Sequence, residues 1–312
     1  MTSVGFLDKI SSLYGKDYLE GVKTENNTYE LAYETLLDRL NNVINSDFGR
    51  ITYTDAIEIL KHTLKPAKLT VRVNLIKTDM ESFRQNIGVD TTEIEPTGAL
   101  VLNKGIDISN NPLYADGQFF VQDTASQKVV TVFNPKPNER VLDMCAAPGG
   151  KSFSMAILMQ NSGEIVSCDL YEHKCRLIKK SAERLGLCII KPMVLDAMVY
   201  NESLGEFDRI LCDVPCSGLG IIGRKPEIKY KNFEDFDNLL DIQFKILSNA
   251  KNYLKNGGQI MYSTCTLRKA ENDEIISRFL DENKDFSLSY SHTFMPHKDS
   301  TDGFYCALLN KN

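Results

Sequence analysis

The sequence has no run of apolar residues long enough to span a membrane, since none approaches about 18 residues. Its first residues lack the basic segment and apolar core of a secretory signal. It has no C-x-x-C pair, and its four histidines are scattered, which argues against a zinc site. Its eight cysteines are too few and too irregularly spaced for a disulfide framework. We therefore expect a cytoplasmic protein with reduced thiols, no bound metal and no membrane association.

The negative charge is unevenly distributed. Residues 1–60 hold five Lys or Arg against ten Asp or Glu, so this segment accounts for −5 of the net charge of −6. Basic residues cluster at His173–Arg184 and again at Arg224–Lys231. A polyanion would have to be bound by such local patches. For the first cluster, the solvated face of a helix is the more ordinary interpretation. For the second, which lies in a predicted loop, that interpretation and an RNA contact have equal weight.

The pattern along the chain predicts three segments. The first is an acidic helical segment with helices near 28–45 and 53–64. The second combines a strand (LTVRVNLIK), a helix (DMESFRQNIG) and a strand (GALVLN) in a small α+β unit. A helix over GQFFVQDTASQKVVTVF then leads into a region where strands and helices alternate, closed by two strands that we expect to form an antiparallel edge pair. The predicted boundaries are 1–65, 66–115 and 116–312.

The stretch from Val141 to Ser152, VLDMCAAPGGKS, predicts a buried strand, a glycine-containing turn and the start of a helix. This order places backbone N–H groups at a helix N-terminus beside the carboxyl end of a strand, where nucleotide-like cofactors bind. The glycines of this stretch do not have the spacing G-x-G-x-x-G, and the sequence contains no G-x-x-x-x-G-K-[ST]. The turn is therefore suited to a cofactor without phosphates.

Repeated β-α alternation indicates a doubly wound, largely parallel sheet with its ligands at the carboxyl ends of the strands. Polar or reactive residues follow five predicted strands: Asp143 and Cys145, Asp169, Asp196, Asp213 and Cys216, and Cys265. A single Asp in such a position usually caps a turn or a helix. Several in register favour a ligand site, with Asp169 placed to accept hydrogen bonds from ribose hydroxyls.

Two cysteines at separate strand ends, Cys216 in DVPCSG and Cys265 in YSTCT, favour nucleophilic chemistry. A thiolate attacks carbon strongly, and a nearby cation such as Lys151 would lower the pKa of a thiol. Either cysteine taken alone would more simply be an inert buried residue.

These residues resemble the Sun family of RNA cytosine carbon-5 methyltransferases, the family of bacterial RsmB. The resemblance rests on DMCAAPGGK, DVPCSG followed by RKPEIKY, YSTCT followed by ENDE, and the closing DGFY, and it covers roughly residues 66–312. It implies a class I methyltransferase fold of the Rossmann-like type, with S-adenosylmethionine as cofactor. It also implies that residues 66–115 form a small RNA-recognition-like subdomain.

The resemblance implies a role for each matching position. Cys265 would attack carbon 6 of the cytosine, and Cys216 would assist removal of the carbon-5 proton and release of the product. Asp213 would bind the nitrogen-3 edge of the base, with Lys151 nearby. Asp169 would hold the ribose of the cofactor and Asp196 its adenine, with Asp213 also in the cofactor site. The methionine part would be wrapped by Cys145, Ala146, Ala147, Pro148, Gly149, Gly150 and Lys151.

The expected substrate is RNA, most simply 16S ribosomal RNA. Members of the RsmB group carry a full helical RNA-binding domain before the subdomain. Here the subdomain is preceded by a segment of roughly 65 residues with a net negative charge. Transfer RNA is the alternative substrate, because the resemblance also extends to family members that act on it. A non-catalytic RNA-binding ribosome-assembly protein is a second alternative, disfavoured by two intact cysteines. A DNA cytosine methyltransferase, whose nucleophile is the cysteine of the PC motif, is a third, disfavoured by the cysteine of TCT.

Overall fold

The computed structural model describes residues 67–95, 97–225, 227–228 and 236–312, together with five positions between 55 and 62. The helix predicted near 28–45 lies outside the described residues, as do Lys229 and Lys231 of the second basic cluster. The described positions of the helix predicted near 53–64 are helical. Lys61–Asn312 form one compact unit with two sheets in its described part.

The smaller sheet is antiparallel and has the strand order β2-β3-β1-β4. Its strands are β1 (Leu69–Val73), β2 (Thr91–Ile94), β3 (Ala99–Leu102) and β4 (Phe119–Val121), and its helices are α1 (Met80–Asn86) and α2 (Pro112–Ala115). Helix α1 begins where the carboxylate of Asp79 accepts the N–H of Ser82 at 2.8 Å, which is a typical N-cap. Phe83 of this helix packs with Val71, Leu100 and Phe119 in a buried core.

Strand β4 was not predicted. The local sequence pattern predicts a helix over the whole stretch from Gly117, but that stretch begins with a strand paired antiparallel to β1. The helix starts only at Thr124. Three apolar residues are too few to show strand periodicity, and their partner lies about 50 residues earlier in the chain. The small sheet therefore extends past residue 115, and the proposed domain boundary there remains a prediction.

The larger sheet has the strand order β10-β11-β9-β8-β5-β6-β7. Its strands are β5 (Arg140–Asp143), β6 (Glu164–Asp169), β7 (Ile190–Val194), β8 (Phe207–Asp213), β9 (Leu254–Thr264), β10 (Phe286–Phe294) and β11 (Phe304–Lys311). Strands β5 to β9 run parallel, whereas β10 and β11 are antiparallel, which confirms the predicted edge pair. The strand order reverses at β5, and ligands bind at such a switch point in open α/β sheets.

Helices cover both faces of this sheet. They are α3 (Thr124–Phe133), α4 (Gly150–Leu158), α5 (Glu172–Leu185), α6 (Asp237–Ala250), α7 (Asp273–Glu282) and α8 (Pro296–Asp299). Alternate residues of β8 enter two different apolar clusters: Ile210 and Cys212 pack in the cluster that includes α6 and α7, whereas Leu211 packs with residues of α3, α4 and α5. The predicted doubly wound, mostly parallel α/β fold is confirmed. Within the described part of the chain, no helix combines the length and apolarity needed to cross a membrane.

Buried polar contacts join the two sheets. The side-chain N–H₂ of Asn74 donates to the carbonyls of Gly117 and Leu185 at 2.9 and 2.8 Å, and the guanidinium of Arg184 donates to the carbonyl of Tyr114. Arg184 belongs to the first basic cluster of the sequence, and its guanidinium forms a hydrogen bond within the protein. Elsewhere on α5, Lys179 and Lys180 are exposed, as the solvated face of a helix would be.

Candidate active site

The turn between β5 and α4 is built as the sequence predicted. The N–H of Ala146 donates to the carbonyl of Cys168 at 2.7 Å, and the N–H of Gly149 donates to the carbonyl of Ala146 at 2.7 Å. Gly149 has φ +108°, and a Cβ there would lie 2.3 Å from the ring of Phe153. Glycine is therefore required at this position. Cys145 and Ala147 are half-buried in this turn, Pro148 is exposed, and half-buried Gly150 begins the helix.

Asp143 lies beneath this turn and does not line the crevice. The carboxylate has no exposed surface and accepts a hydrogen bond from the hydroxyl of Ser152 at 2.6 Å, and that hydroxyl lies 2.8 Å from the hydroxyl of Ser167. Burial raises the pKa of Asp143 to about 7. Asp143 thus joins β5, β6 and α4 below the predicted cofactor loop.

Asp169 and Asp196 follow the neighbouring strands β6 and β7. Oδ1 of Asp169 accepts the N–H of Tyr171 at 3.1 Å and lies 3.5 Å from the ammonium of Lys174. Its other oxygen, Oδ2, has no hydrogen-bond partner among the described residues. Oδ1 of Asp196 accepts the N–H of Met198 at 2.9 Å, which closes a turn. Large apolar side chains beside these strand ends are exposed: Leu170, Tyr171, Val194, Met198 and Val199.

Lys151 and Asp213 form an ion pair across the switch point. The ammonium of Lys151 lies 2.7 Å from Oδ2 of Asp213, and the hydroxyl of Ser263 donates to Oδ1 at 2.8 Å. The same ammonium stands 4.8 Å from the ring centroid of Phe304, a geometry that favours a cation. Both carboxylate oxygens of Asp213 are therefore held, and the side chain has a fixed orientation.

The structure brings Cys216 and Cys265 into contact. Their sulfur atoms are 3.0 Å apart, and the backbone N–H of Cys265 donates to the sulfur of Cys216 at 3.3 Å. The hydrogen bond from Cys216 lowers the pKa of Cys265 despite its burial, and Lys151 and Lys225 lower it further. The same hydrogen bond, together with burial, raises the pKa of Cys216. Of the two thiols, Cys265 therefore has the lower pKa and loses its proton more readily.

A buried polar network holds the two cysteine-bearing loops, and the sequence alone predicts no role for its members. Oε2 of Glu271 accepts the N–H of Ser217 and the side-chain amide of Gln243, each at 2.9 Å. The hydroxyl of Ser217 donates to Oγ1 of Thr266 at 2.8 Å, and Nδ2 of Asn272 donates to the carbonyl of Thr266 at 3.1 Å. The ENDE motif was a signal for this network, because it contains Glu271 and Asn272.

The loop after Cys216 is held in place by two ion pairs of Arg224. The guanidinium of Arg224 lies 2.8 Å from Oδ2 of Asp123 and 2.5 Å from Oδ2 of Asp302. Burial raises the pKa of Asp302 to about 6, and the neighbouring Asp123 contributes to the increase. Arg224 of the second basic cluster thus has two carboxylate partners and ties the loop to them, and Lys225 beside it is exposed.

Replacement of Gly220 with Ala is expected to disturb this loop. The N–H of Gly220 donates to the carbonyl of Cys265 at 3.0 Å, and a Cβ would lie 1.9 Å from the carbonyl oxygen of Gly303. Overpacking of this kind costs about 1–3 kcal/mol. Chemical denaturation should show that loss. Gly105→Ala is the control because nothing lies within 4 Å of its added Cβ. Equal stability of the two variants would contradict this expectation.

The chain is similar in sequence and architecture to known proteins. A sequence model described as 16S rRNA methyltransferase RsmB/F matches residues 130–310. The chain is 39% identical over 280 residues to the probable ribosomal RNA small subunit methyltransferase B of Bacillus subtilis, covering 82% of this chain and 62% of the relative. It is 28% identical over 329 residues to the human 28S rRNA (cytosine(4447)-C(5))-methyltransferase, covering 95% of this chain and 40% of the relative.

A solved structure agrees with these matches. The methyltransferase homolog protein from Pyrococcus horikoshii superposes with a TM-score of 0.77 at 25% identity, covering 95% of this chain and 98% of that one. The chain described here spans about three fifths of the length of the Bacillus relative and two fifths of the human one.

Proposed function

The chain belongs to the RsmB/F family of 16S rRNA methyltransferases, and on this basis we propose that it methylates carbon 5 of a cytosine in ribosomal RNA with S-adenosylmethionine as donor. The observation that carries the proposal is the pair formed by Cys216 and Cys265, with sulfur atoms 3.0 Å apart. A protein that only bound RNA would not need two thiols in contact beside the ion pair of Lys151 and Asp213. Small-subunit RNA is the proposed substrate because the Bacillus relative is described as acting on it.

The strand ends fit the proposed cofactor. Oδ2 of Asp169 has no hydrogen-bond partner among the described residues and could accept from a ribose hydroxyl. The exposed apolar side chains near it suit the face of an adenine ring. The turn from Cys145 to Lys151 lets backbone approach the methionine part closely, since Gly149 and Gly150 have no side chain. Asp196 is proposed to lie against the adenine. When bound, S-adenosylmethionine supplies an electrophilic methyl group carried on sulfur.

Asp169→Asn is expected to weaken S-adenosylmethionine binding without unfolding the protein. A lost hydrogen bond to a charged group costs about 1.5–3 kcal/mol, which is about ten- to a hundredfold in Kd. Isothermal titration with S-adenosylmethionine measures the change. Asp281→Asn is the control because Asp281 is largely exposed on α7. Unchanged affinity in Asp169→Asn would remove Asp169 from the proposed ribose site.

Cys265 is the proposed nucleophile. Its thiolate adds to carbon 6 of the cytosine, and the new S–C bond makes carbon 5 electron-rich enough to take the methyl group. The carbon-5 proton is then removed, the S–C bond breaks, and methylated RNA leaves with the thiolate restored. Each turnover therefore transfers one methyl group and releases one proton. The base must be unpaired or flipped out of a helix to reach Cys265, at a cost of about a few kcal/mol.

Lys151 and Asp213 are proposed to hold the base while Cys265 reacts. The carboxylate of Asp213 is oriented by Lys151 and Ser263, so it meets the nitrogen-3 edge without first reorganising. Lys151 also stabilises the negative charge on Cys265. The two residues thereby link binding of the base to activation of the nucleophile.

Cys216 is proposed to assist removal of the carbon-5 proton and release of the product. As the S–C bond breaks, the S–H of Cys216 passes its proton to the sulfur of Cys265, and the sulfur of Cys216 accepts the carbon-5 proton. Cys265 then loses its proton to solvent, so that one proton is released in each turnover. The base stays attached to the protein until that bond breaks. Cys216 therefore acts at the end of the cycle, and Cys265 at its start.

The small sheet is proposed to be the RNA-recognition-like part of the enzyme. Its contacts through Asn74 and Arg184 attach it firmly to the large sheet. RNA bound there would be held at a constant position relative to Cys265.

The proposal is tested by incubating the protein with tritiated S-adenosylmethionine and unmodified transcripts. We expect tritium in 16S ribosomal RNA and 5-methylcytosine at one position when the RNA is sequenced after bisulfite treatment. Label in transfer RNA alone would identify transfer RNA as the substrate in place of ribosomal RNA. Label in DNA alone would favour a DNA methyltransferase. If no nucleic acid is labelled and S-adenosylmethionine does not raise the melting temperature, a non-catalytic RNA-binding protein would be the better description.

A further inference from the structure

The two sulfur atoms of the site have chemically different surroundings. Cys265 is influenced by two cations, Lys151 and Lys225, as well as by the carboxylate of Asp213. Cys216 is influenced by the carboxylate of Glu271, with no cation among the groups that act on it within the described residues. The hydroxyl of Tyr262 also lies near Cys216 and remains neutral, because burial raises its pKa. Cys265 thus has cations as well as a carboxylate near it, whereas the charged group that acts on Cys216 is a carboxylate.

Glu271 is attached directly to the loop of Cys216. Its Oε2 accepts the N–H of Ser217, the residue after Cys216, at 2.9 Å. Gln243 completes the link, since its amide donates both to this oxygen and to the carbonyl of Pro215, the residue before Cys216, at 2.9 Å each. The backbone is therefore held on both sides of Cys216.

The carboxylate of Glu271 is also isolated from water. The residue has no exposed surface, and its second oxygen, Oε1, has no hydrogen-bond partner in the described part of the chain. A negative charge in such a place is weakly screened and acts strongly on nearby ionisable groups. It disfavours a second negative charge on Cys216 and raises the pKa of that thiol.

We propose that Glu271 is a positioning residue that keeps the shared proton on Cys216 and thereby makes Cys265 the nucleophile. The inference rests on the proposed function, because it concerns the roles of the two thiols in methyl transfer. It also explains why two cysteines in contact have separate roles. Without the carboxylate, the proton would be shared more evenly, and Cys216 would become a competing thiolate.

The experiment measures alkylation of the two thiols by iodoacetamide between pH 6 and 9, followed by mass spectrometry of the peptides. It needs neither RNA nor cofactor, so its outcome is separate from that of the methylation assay. In the wild-type protein we expect Cys265 to react at least about tenfold faster than Cys216. Equal rates would overturn the proposal even if no variant could be prepared.

Glu271→Gln removes the charge and keeps an oxygen that can accept from Ser217 and Gln243. We expect Cys216 to be alkylated about tenfold faster in this variant, as a one-unit fall in its pKa would produce. Glu274→Gln is the matched control, because Glu274 lies one turn further along and is largely exposed. A folded Glu271→Gln protein with the wild-type alkylation pattern would overturn the proposal. So would an equal acceleration in the Glu274→Gln control.

A second readout separates positioning from simple support of the fold. In the presence of RNA and S-adenosylmethionine, Glu271→Gln should release product more slowly, with some RNA attached to Cys216 in place of Cys265. Glu271→Asp retains the negative charge and should restore attachment at Cys265 alone. Loss of stability with all attachment still at Cys265 would mean that Glu271 only supports the fold.

Discussion

Replacement of Cys216 with Ala is expected to leave the protein covalently attached to its RNA. Cys265 keeps its cation, Lys151, and can still add to carbon 6 of the base. The variant lacks the S–H that would stabilise the departing thiolate from 3.0 Å away. Addition therefore continues while release stops, and turnover should fall on the order of 10⁴-fold, as when a residue of a concerted catalytic group is removed.

A denaturing gel measures this outcome. The Cys216→Ala variant, incubated with RNA and S-adenosylmethionine, should give a slowly migrating band that disappears after ribonuclease treatment. Cys265→Ala should give no band and no methylation, and Cys188→Ala, at an exposed cysteine, should behave like the wild type. A band from Cys265→Ala in place of Cys216→Ala would reverse the two roles. An active wild type with no band from any variant would contradict the covalent route.

Lys151→Met is expected to be the most damaging change outside the cysteines. It leaves Asp213 without its ion-pair partner, so the carboxylate that should meet the base loses its fixed orientation. It also removes a cation that stabilises the Cys265 thiolate. Loss of one such electrostatic contact typically lowers kcat by about 10²–10³-fold. Methylation rates under saturating RNA and cofactor measure the effect.

The direction in which the pH profile moves in Lys151→Met can also be predicted. Lys151 lowers the pKa of Cys265, so its removal raises that pKa, and Asp213 raises it further once it is unpaired. Because the reaction needs the thiolate, the acid limb of the kcat/KM profile should move to higher pH in Lys151→Met. Lys255→Met is the control, since Lys255 pairs with Asp208 at the far end of the sheet. A lower rate with an unmoved acid limb would separate Lys151 from activation of Cys265.

The elements of the small sheet differ in how well their own residues predict them. The strand Leu69–Val73 and the helix Met80–Asn86 were predicted because each has several residues of regular apolar spacing. Strand Phe119–Val121 was missed because its stability comes from pairing with a distant strand and from burial of Phe119. Short elements have little local preference of their own, so their tertiary partners decide them.

The second basic cluster shows another limit. Arg224 in a polar loop was equally compatible with a solvated side chain and with an RNA contact. The structure shows a third arrangement, in which Asp123 and Asp302, about 100 and 80 residues away, neutralise it. Long-range ion pairs of this kind leave no periodic signal in the sequence.

The sequence by itself determined the doubly wound sheet and the order of the reactive strand ends, because these follow from local hydrophobic periodicity and from the fact that parallel strands end at one edge. It also places four candidate site residues at or just after predicted strand ends: Lys151, Asp213, Cys216 and Cys265. The tertiary structure alone showed that the sulfur atoms of Cys216 and Cys265 lie 3.0 Å apart and that Glu271 accepts the N–H of Ser217 beside Cys216. These contacts join residues that are about 50 positions apart in the chain, so no local pattern predicts them.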